Sequence, residues 1–278
     1  MPDVLPIAPL HCAIYLLSIV QRSESISPVV NAFYSLRHAH TVIGLVSPTD
    51  SMLVKNVLEA AKRKLARSVV KKEPVTVEIL NSLFDSKIVD PSLYNLRTIS
   101  MCLLAYAGFL RSEELLNITR SDIVFYNSHM LLFIEKSKTD VYRDGAWLVI
   151  GRTGTKLCPV ECLERYLQAA SINPQSDVYI FRNVTKYAGQ YELRRSNKPM
   201  SYTRLRDIFL EALTPFVSDI KRYGSHSLRS GGATAAANNG IPDRMFKRHG
   251  RWRSEKAKDG YVKDKLENRI KVSLSLGL

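Results

Sequence analysis

Residues 107–115 read AGFLRSEEL, and the hydrophobic pattern of the chain changes across this stretch. On its N-terminal side, residues 91–117 carry apolar side chains at helical spacing, which predicts a helix with a broad buried stripe. Gly108 interrupts this pattern, and Arg111 follows almost at once. On the C-terminal side, short runs rich in β-branched and aromatic residues predict a small antiparallel meander of strands. These runs are residues 122–125, 131–135 and 146–150.

Helical patterns cover most of the rest of the chain. Residues 10–67 predict helices separated by turn signals, and in the last of these Val54, Leu58 and Ala61 share one face. Together with the meander, this pattern predicts a fold that is mainly α with a small three-stranded antiparallel sheet. The further helices are predicted at residues 159–170, 202–214, 225–239 and 241–249.

The domain organisation follows from a charged stretch between two helical regions. We predict a helical domain over residues 1–68, a basic linker over 69–75, and a second domain over 76–278 that ends in a C-terminal tail. A run of charges is often only a solvated face, but in a basic protein such a linker can lie along a phosphate backbone. The residues predicted to bind DNA are Lys62, Arg63, Lys64, Arg67, Lys71 and Lys72.

The charge balance of the whole chain points to a polyanionic partner. Lys and Arg number 40 against 26 Asp and Glu, which gives a net charge of +14. Nucleic acid fits this surplus better than an acidic membrane face. Hydrophobic residues make up 45% and charged residues 24% of the chain, values near the globular average that exclude wholesale disorder, collagen and coiled coils.

Neither a membrane segment nor a disulfide framework is expected. The uncharged run over residues 4–21 contains prolines and lacks the flanks of a signal peptide. The four cysteines are few and scattered, which predicts a reducing, intracellular compartment. Cys158 and Cys162 lack a second Cys or His pair to complete a zinc site, so we expect two buried residues at the start of a helix rather than a metal site.

Two stretches in the middle of the chain present basic residues where a cleft could use them. Arg111 is either an arginine paired with a carboxylate at a helix terminus or a phosphate ligand. Lys138, in the sequence SKTD after the second predicted strand, is either a charge that protects a sheet edge or a lysine that swings into a cleft. Each residue taken alone has an ordinary structural explanation.

The C-terminal third adds two more stretches. In GSHSLRSGG, residues 224–232, helical spacing places His226 and Arg229 on one face, and the paired glycines permit a close backbone approach. Trp252 lies in the sequence GRWR, and Tyr261 follows it by nine residues. A histidine at a helix start and a packed tyrosine are the plainer interpretations of these residues.

Taken together, the basic residues suit chemistry on a phosphodiester. Guanidinium groups grip non-bridging oxygens bidentately and neutralise the charge that grows in the transition state. Tyr261 would supply the attack, because cationic surroundings favour the phenolate of a group whose ordinary pKa is ~10. His226 and Lys138 would share the proton transfers. Such a site needs no metal.

On these residues the sequence resembles the tyrosine recombinase, or phage integrase, family over about residues 75–265. The first box of that family is similar to residues 108–115, with Glu114 three positions after Arg111. Lys138 matches the hairpin lysine, and the HSLR sequence matches the second box. The catalytic set that the resemblance implies is Arg111, Lys138, His226, Arg229, Trp252 and Tyr261.

The resemblance implies a recombinase catalytic fold preceded by a helical core-binding domain, with double-stranded DNA as the partner. Tyr261 would form a 3′-phosphotyrosine and release a 5′-hydroxyl without metal or other cofactor. It also implies a homotetramer on DNA, with the C-terminal segment passed to a neighbour. We expect an intracellular, nuclear location. The alternatives are DNA relaxation by a type IB topoisomerase-like enzyme and an inactive DNA-binding remnant of a mobile element.

Two departures from the family pattern bear on these expectations. Arg251 stands between Gly250 and Trp252, so either Arg251 or Trp252 would face the phosphate, and the spacing to Tyr261 favours Trp252. The SKTD and GRW sequences look like those of eukaryotic mobile elements of the DIRS and Crypton types. Residues 1–68 look like the later helices of a core-binding domain that is incomplete at its N-terminus.

Overall fold

A computed structural model of the protein describes residues 5–67, 70–135 and 145–277. The chain forms two compact units, Met1–Val70 and Lys71–Leu278. Of the predicted linker, Lys71 to Val75 belong to the second unit, where the backbone N–H of Val75 donates to the carbonyl of Ser227 over 2.9 Å. The assignment of the first unit as a core-binding domain remains a prediction.

The first unit is a small helical bundle. Its core forms where apolar side chains recur at helical spacing, and Val54, Leu58 and Ala61 are all buried in it, as predicted. Leu16 and Phe33 bring the other two helices to the same core. The helices are α1 (Pro9–Arg22), α2 (Ser27–Val42) and α3 (Met52–Lys64).

The second unit is built around one central helix. Every residue from Arg97 to Ala105 in this helix, α5 (Leu93–Ala107), is buried, because α4 (Val77–Ile88), α7 (Pro159–Ala169) and α9 (His226–Asn238) pack around it. The predicted helices of this unit are confirmed, and the break at Gly108 separates α5 from the short helix α6 (Ser112–Leu116). The helices are α4 (Val77–Ile88), α5 (Leu93–Ala107), α6 (Ser112–Leu116), α7 (Pro159–Ala169), α8 (Tyr202–Leu213), α9 (His226–Asn238), α10 (Asp243–Gly250), α11 (Glu255–Asp259) and α12 (Leu266–Leu274).

The predicted three-stranded sheet is confirmed. Its strands are β1 (Ile123–Phe125), β2 (His129–Ile134) and β3 (Ala146–Gly151), in antiparallel order with Leu132 paired to Ile123 on one side and Leu148 on the other. A second hairpin, β4 (Val184–Tyr187) and β5 (Gln190–Leu193), was not predicted. Its side chains are exposed or only partly buried, so it lacks the apolar alternation that marks a strand in sequence.

Close packing of α9 on α5 positions the candidate site. A Cβ added at Gly232 would lie 2.1 Å from the carbonyl oxygen of Tyr106, and one added at Gly231 would lie 2.1 Å from that of Val75. Because real Cβ atoms do not come this close to a carbonyl oxygen, only glycine fits at either position. The close approach predicted from the two glycines is confirmed, and it brings the first turn of α9 to the end of α5.

Cys158 and Cys162 are buried beside the start of α7, as expected. Among the described residues, no group of three His, Cys, Asp or Glu side chains is placed to hold a metal ion. None of the helices described is long and apolar enough to cross a membrane.

Candidate active site

Arg111 and Glu114 form an ion pair at the start of α6. The backbone N–H of Arg111 donates to Oε2 of Glu114 over 2.9 Å, and its Nη1 donates to Oε1 over 2.6 Å. The Glu114 side chain is only 2% exposed, whereas that of Arg111 keeps 15% of its surface. Arg111 is thus paired with a carboxylate at a helix terminus and still reaches the surface, and its role as a phosphate ligand remains a prediction.

Arg229 lies in the first turn of α9 and is fully buried. Its Nη1 donates to the carbonyl of Phe109, and its Nη2 donates to the carbonyl of Gly250 over 2.7 Å. The same Nη1 lies 3.9 Å from Oε2 of Glu114. One buried carboxylate therefore connects the two predicted catalytic arginines, which are far apart in the sequence.

Tyr261 covers this arginine. The Arg229 Cζ lies 4.9 Å from the centroid of the Tyr261 ring, and the exposed His226 ring stacks near the same ring with 6.4 Å between centroids. The carbonyl of Tyr261 accepts hydrogen bonds from Ser230 Oγ at 2.7 Å and Thr234 Oγ1 at 3.3 Å. These two hydroxyls were not predicted from the sequence, although their spacing of four residues on α9 places them on one helix face.

Trp252 also packs against Arg229, with 4.9 Å between Cζ and the indole ring, and its ring lies beside that of Tyr261 at 5.7 Å between centroids. Its side chain joins Phe109 and Phe246 in a buried cluster, and a Cβ added at Gly250 would lie 1.9 Å from the indole. The indole Nε1 is buried and has no hydrogen-bond partner among the described residues. Trp252 is buried in this arrangement, so its N–H donation to a phosphate remains a prediction.

Arg251, the alternative to Trp252 as a phosphate ligand, is also turned inward. Its side chain is 8% exposed, and its Nη2 donates to Oε2 of Glu114 over 2.7 Å. His249 Nε2 donates to the carbonyl of Ala107 over 2.8 Å, and its ring meets the edge of Phe109 at 4.6 Å between centroids. His249 thus flanks the cluster.

In this cluster, burial and the neighbouring charges shift the pKa of Glu114 in opposite directions. Burial by itself raises the pKa of Glu114, but the charges of Arg251, Arg111 and Arg229 and the backbone N–H of Arg111 bring that pKa below its ordinary value. Burial, reinforced by the charge of Arg111, lowers the pKa of Arg229 to about 10. Glu114 therefore stays ionised, and three arginines around one carboxylate leave a positive excess near Tyr261.

The other predicted site residues are placed as follows. Lys138 lies outside the described residues. The six residues predicted to bind DNA are all exposed, with Lys62 paired to Glu59 over 2.6 Å and Arg67 lying 3.7 Å from Glu24. Four of these six belong to the first unit, and Lys71 and Lys72 belong to the second.

Known protein families and solved structures include relatives of this chain. Residues 75–267 match the family described as the phage integrase family. The chain belongs to this family. Its members, the tyrosine recombinases, cleave and rejoin DNA, and this chain is a DNA strand transferase of that family.

Several relatives of this tyrosine recombinase are known. An integrase/recombinase xerD homolog of Selenomonas ruminantium is 26% identical over 245 residues, which cover 87% of this chain and 68% of the relative. The XerH recombinase, in a post-cleavage complex with a palindromic difH substrate, is similar with a TM-score of 0.65 at 15% identity, over 98% of this chain and 72% of XerH. The Tn1549 transposon integrase bound to transposon right end DNA is similar with a TM-score of 0.61 at 16% identity, over 100% of this chain and 88% of that integrase. The assignment to the DIRS and Crypton types is not confirmed by these relatives.

Proposed function

We propose that this chain is a site-specific DNA recombinase whose nucleophile is Tyr261. The phenolic oxygen attacks the scissile phosphorus, the bond from phosphorus to the 5′-oxygen breaks, and a 3′-phosphotyrosine forms. The phenol loses its proton, and the departing 5′-oxygen gains one. The observation that carries this proposal is the 4.9 Å contact between the Tyr261 ring and the Arg229 guanidinium, which joins the nucleophile to the arginine pair.

The roles of the other residues follow from their charges and positions. Arg111 and Arg229 bind the non-bridging oxygens, because guanidinium forks match phosphate geometry. Lys138 protonates the leaving 5′-oxygen, and His226, exposed beside the Tyr261 ring, exchanges protons with the reacting oxygens. Trp252 holds Arg229 by packing its ring against the guanidinium and, once uncovered, donates its N–H to the phosphate.

Double-stranded DNA is the substrate and the partner. The net charge of +14 and the six exposed basic residues of 62–72 support binding to the phosphate backbone. The XerH and Tn1549 relatives are described in complexes with DNA, which supports the same partner here. Removing the arginines that bind the scissile phosphate would reduce the rate of cleavage, whereas removing the surface charges would reduce affinity.

We further propose that the chain works as a homotetramer on DNA, located in the nucleus. The C-terminal helix α12 supports the exchange of a segment between subunits, because none of its residues is buried. Its apolar side chains Leu266, Ile270 and Leu274 recur every four residues and share an exposed face. Such a face is stabilised when a neighbouring subunit covers it.

A nicked suicide substrate tests the proposal. The protein should form a covalent adduct with DNA in the presence of EDTA, because its own cations neutralise the phosphate. Tyr261→Phe should form none while still binding the DNA. Tyr187→Phe, at an exposed tyrosine of the β4–β5 hairpin, serves as the matched control and should form the adduct normally.

Other outcomes separate the alternatives. Binding without any adduct in the unmodified protein would identify an inactive DNA-binding remnant. An adduct accompanied by relaxation of plasmids, but by no exchange between paired sites, would identify a topoisomerase-like enzyme.

A further inference from the structure

Arg251 adopts an unusual backbone conformation for its side chain. It is the residue at the C-terminal end of α10, and its φ of 53° lies in the left-handed region. Residues with a Cβ adopt this region at a cost, whereas glycine does so freely. An arginine at this position therefore strains the backbone, and its side chain must make contacts that offset the strain.

The guanidinium of Arg251 fills a set of acceptors at the end of α5. Its Nη1 donates to the carbonyls of Gly108 at 3.2 Å and His249 at 2.8 Å. Its Nη2 donates to the carbonyl of Phe109 at 3.2 Å and to Oε2 of Glu114 at 2.7 Å. Because the last carbonyls of a helix lack partners and carry partial negative charge, a cation is stabilising at this position.

These contacts place Arg251 between the two arginines of the proposed phosphate site. The carbonyl of Phe109 accepts from both Arg251 and Arg229, and the carboxylate of Glu114 contacts Arg251 and Arg111. Arg229 Nη1 lies farther from that carboxylate, at 3.9 Å. The oxygen that would otherwise draw Arg229 toward Glu114 is thus already taken by Arg251.

We propose that Arg251 is a positioning residue for DNA cleavage. It neutralises Glu114 and holds the segment from Gly108 to Arg111 in place, so that Arg111 and Arg229 keep the charge and orientation that the phosphate needs. Its two Nη nitrogens donate to the carboxylate and to three carbonyls, and its Nε is buried, so Arg251 acts through these protein groups. This inference rests on the proposed function, since cleavage is its readout.

The test compares single-turnover cleavage of the suicide substrate at saturating DNA. Arg251→Gly removes the side chain while accommodating the φ of 53°. We expect its cleavage rate to fall about 100-fold, the scale that a small misplacement of reacting groups produces, with little change in DNA affinity. Arg253→Gln, an exposed arginine two residues away, removes the same charge and should cleave at the normal rate.

A second substitution distinguishes positioning from a general loss of structure. When Arg251 is absent, Oε2 of Glu114 loses its partner at 2.7 Å and draws Arg229, now 3.9 Å away, toward itself. Adding Glu114→Gln to Arg251→Gly should therefore raise the rate about tenfold, within the coupling seen for contacting residues. If Arg251→Gly shows no cooperative thermal unfolding, Arg251→Lys replaces it in the same cycle. The lysine variant should be several-fold slow and should also be partly rescued.

The outcomes are separable from those of the proposed function. A rate for Arg251→Gly equal to that of Arg253→Gln, or a double variant slower than Arg251→Gly, overturns the role of Arg251 while recombination by Tyr261 stands. An unmodified protein that forms no adduct overturns both.

Discussion

The protein uses its cations in two opposite environments. The basic residues over 62–72 are exposed to water, and those of 62–67 lie in the first unit. Arg111, Arg229 and Arg251 surround Glu114, and their side chains are between 0 and 15% exposed. Exposed charges are hydrated and screened by salt, so they are inexpensive to place and act on any nearby phosphate backbone.

The buried arginines, in contrast, have lost their hydration. A desolvated charge is costly unless it is paired and hydrogen-bonded, so each of these arginines is held by carbonyls or by Glu114. Such constraints fix the position of a charge and thereby suit it to one reacting phosphate. The exposed group should therefore govern affinity, and the buried group should govern rate.

The largest effect should come from the buried group. Arg229→Ala is expected to lower the rate of covalent adduct formation by at least about 10²- to 10³-fold, the cost of removing one group that stabilises transition-state charge. Binding measured by gel shift should fall only slightly. Arg229→Lys, which keeps the charge but not the planar fork, is the matched control and should also be slow. A loss of binding as large as the loss of cleavage would contradict the assignment of affinity to the exposed residues and of rate to the buried arginines.

A smaller effect, on affinity alone, should come from the exposed group. Replacing Lys62, Arg63, Lys64 and Arg67 with Gln should make the dependence of log affinity on log salt shallower, by about 0.9 for each phosphate that is no longer neutralised. Cleavage at saturating DNA should stay at the normal rate, because these side chains do not belong to the arginine cluster. A salt dependence equal to that of the unmodified protein would show that these residues do not bind DNA.

The smallest effect concerns stability in acid. The pKa of Glu114 lies below its ordinary value in the folded protein. A depressed folded-state pKa contributes stability above the ordinary carboxyl pKa, and that contribution is lost as the pH falls through the folded-state value. Thermal unfolding followed from pH 7 to pH 3 should therefore show a weaker acid dependence for Glu114→Gln than for the unmodified protein. Equal slopes would mean that Glu114 is not stabilised by the arginines.

Several features of the fold were predictable because they depend on local patterns. The helix of Val54, Leu58 and Ala61 follows from spacing alone, and the strands of the small sheet follow from short runs rich in β-branched and aromatic residues. The β4–β5 hairpin was missed because its residues are largely exposed, so the sequence carries no apolar period there. The close approach of α9 to α5 was predictable from its glycines, since a Cβ at either position would lie only 2.1 Å from a carbonyl oxygen.

The site was less predictable than the fold. The order of Arg111, His226, Arg229 and Tyr261 in the chain suggests a phosphate site, and their roles remain predictions. The sequence could not decide between Arg251 and Trp252, because the direction of a side chain after a helix end depends on the local φ. In the structure both side chains are turned inward, and Arg251 forms an ion pair with Glu114.

By itself, the sequence determined the helices, the small sheet, the basic character and the set of residues suited to phosphate chemistry, because each of these depends on composition or on short-range spacing. Only the tertiary structure decided which cations are buried and what they bind. Arg111, Arg229 and Arg251 meet at the carboxylate of Glu114 through the packing of α5, α6, α9 and α10. Because that carboxylate is buried, water cannot replace the arginines as its partners. Desolvation is a property of the packed interior, and no spacing along the chain specifies it.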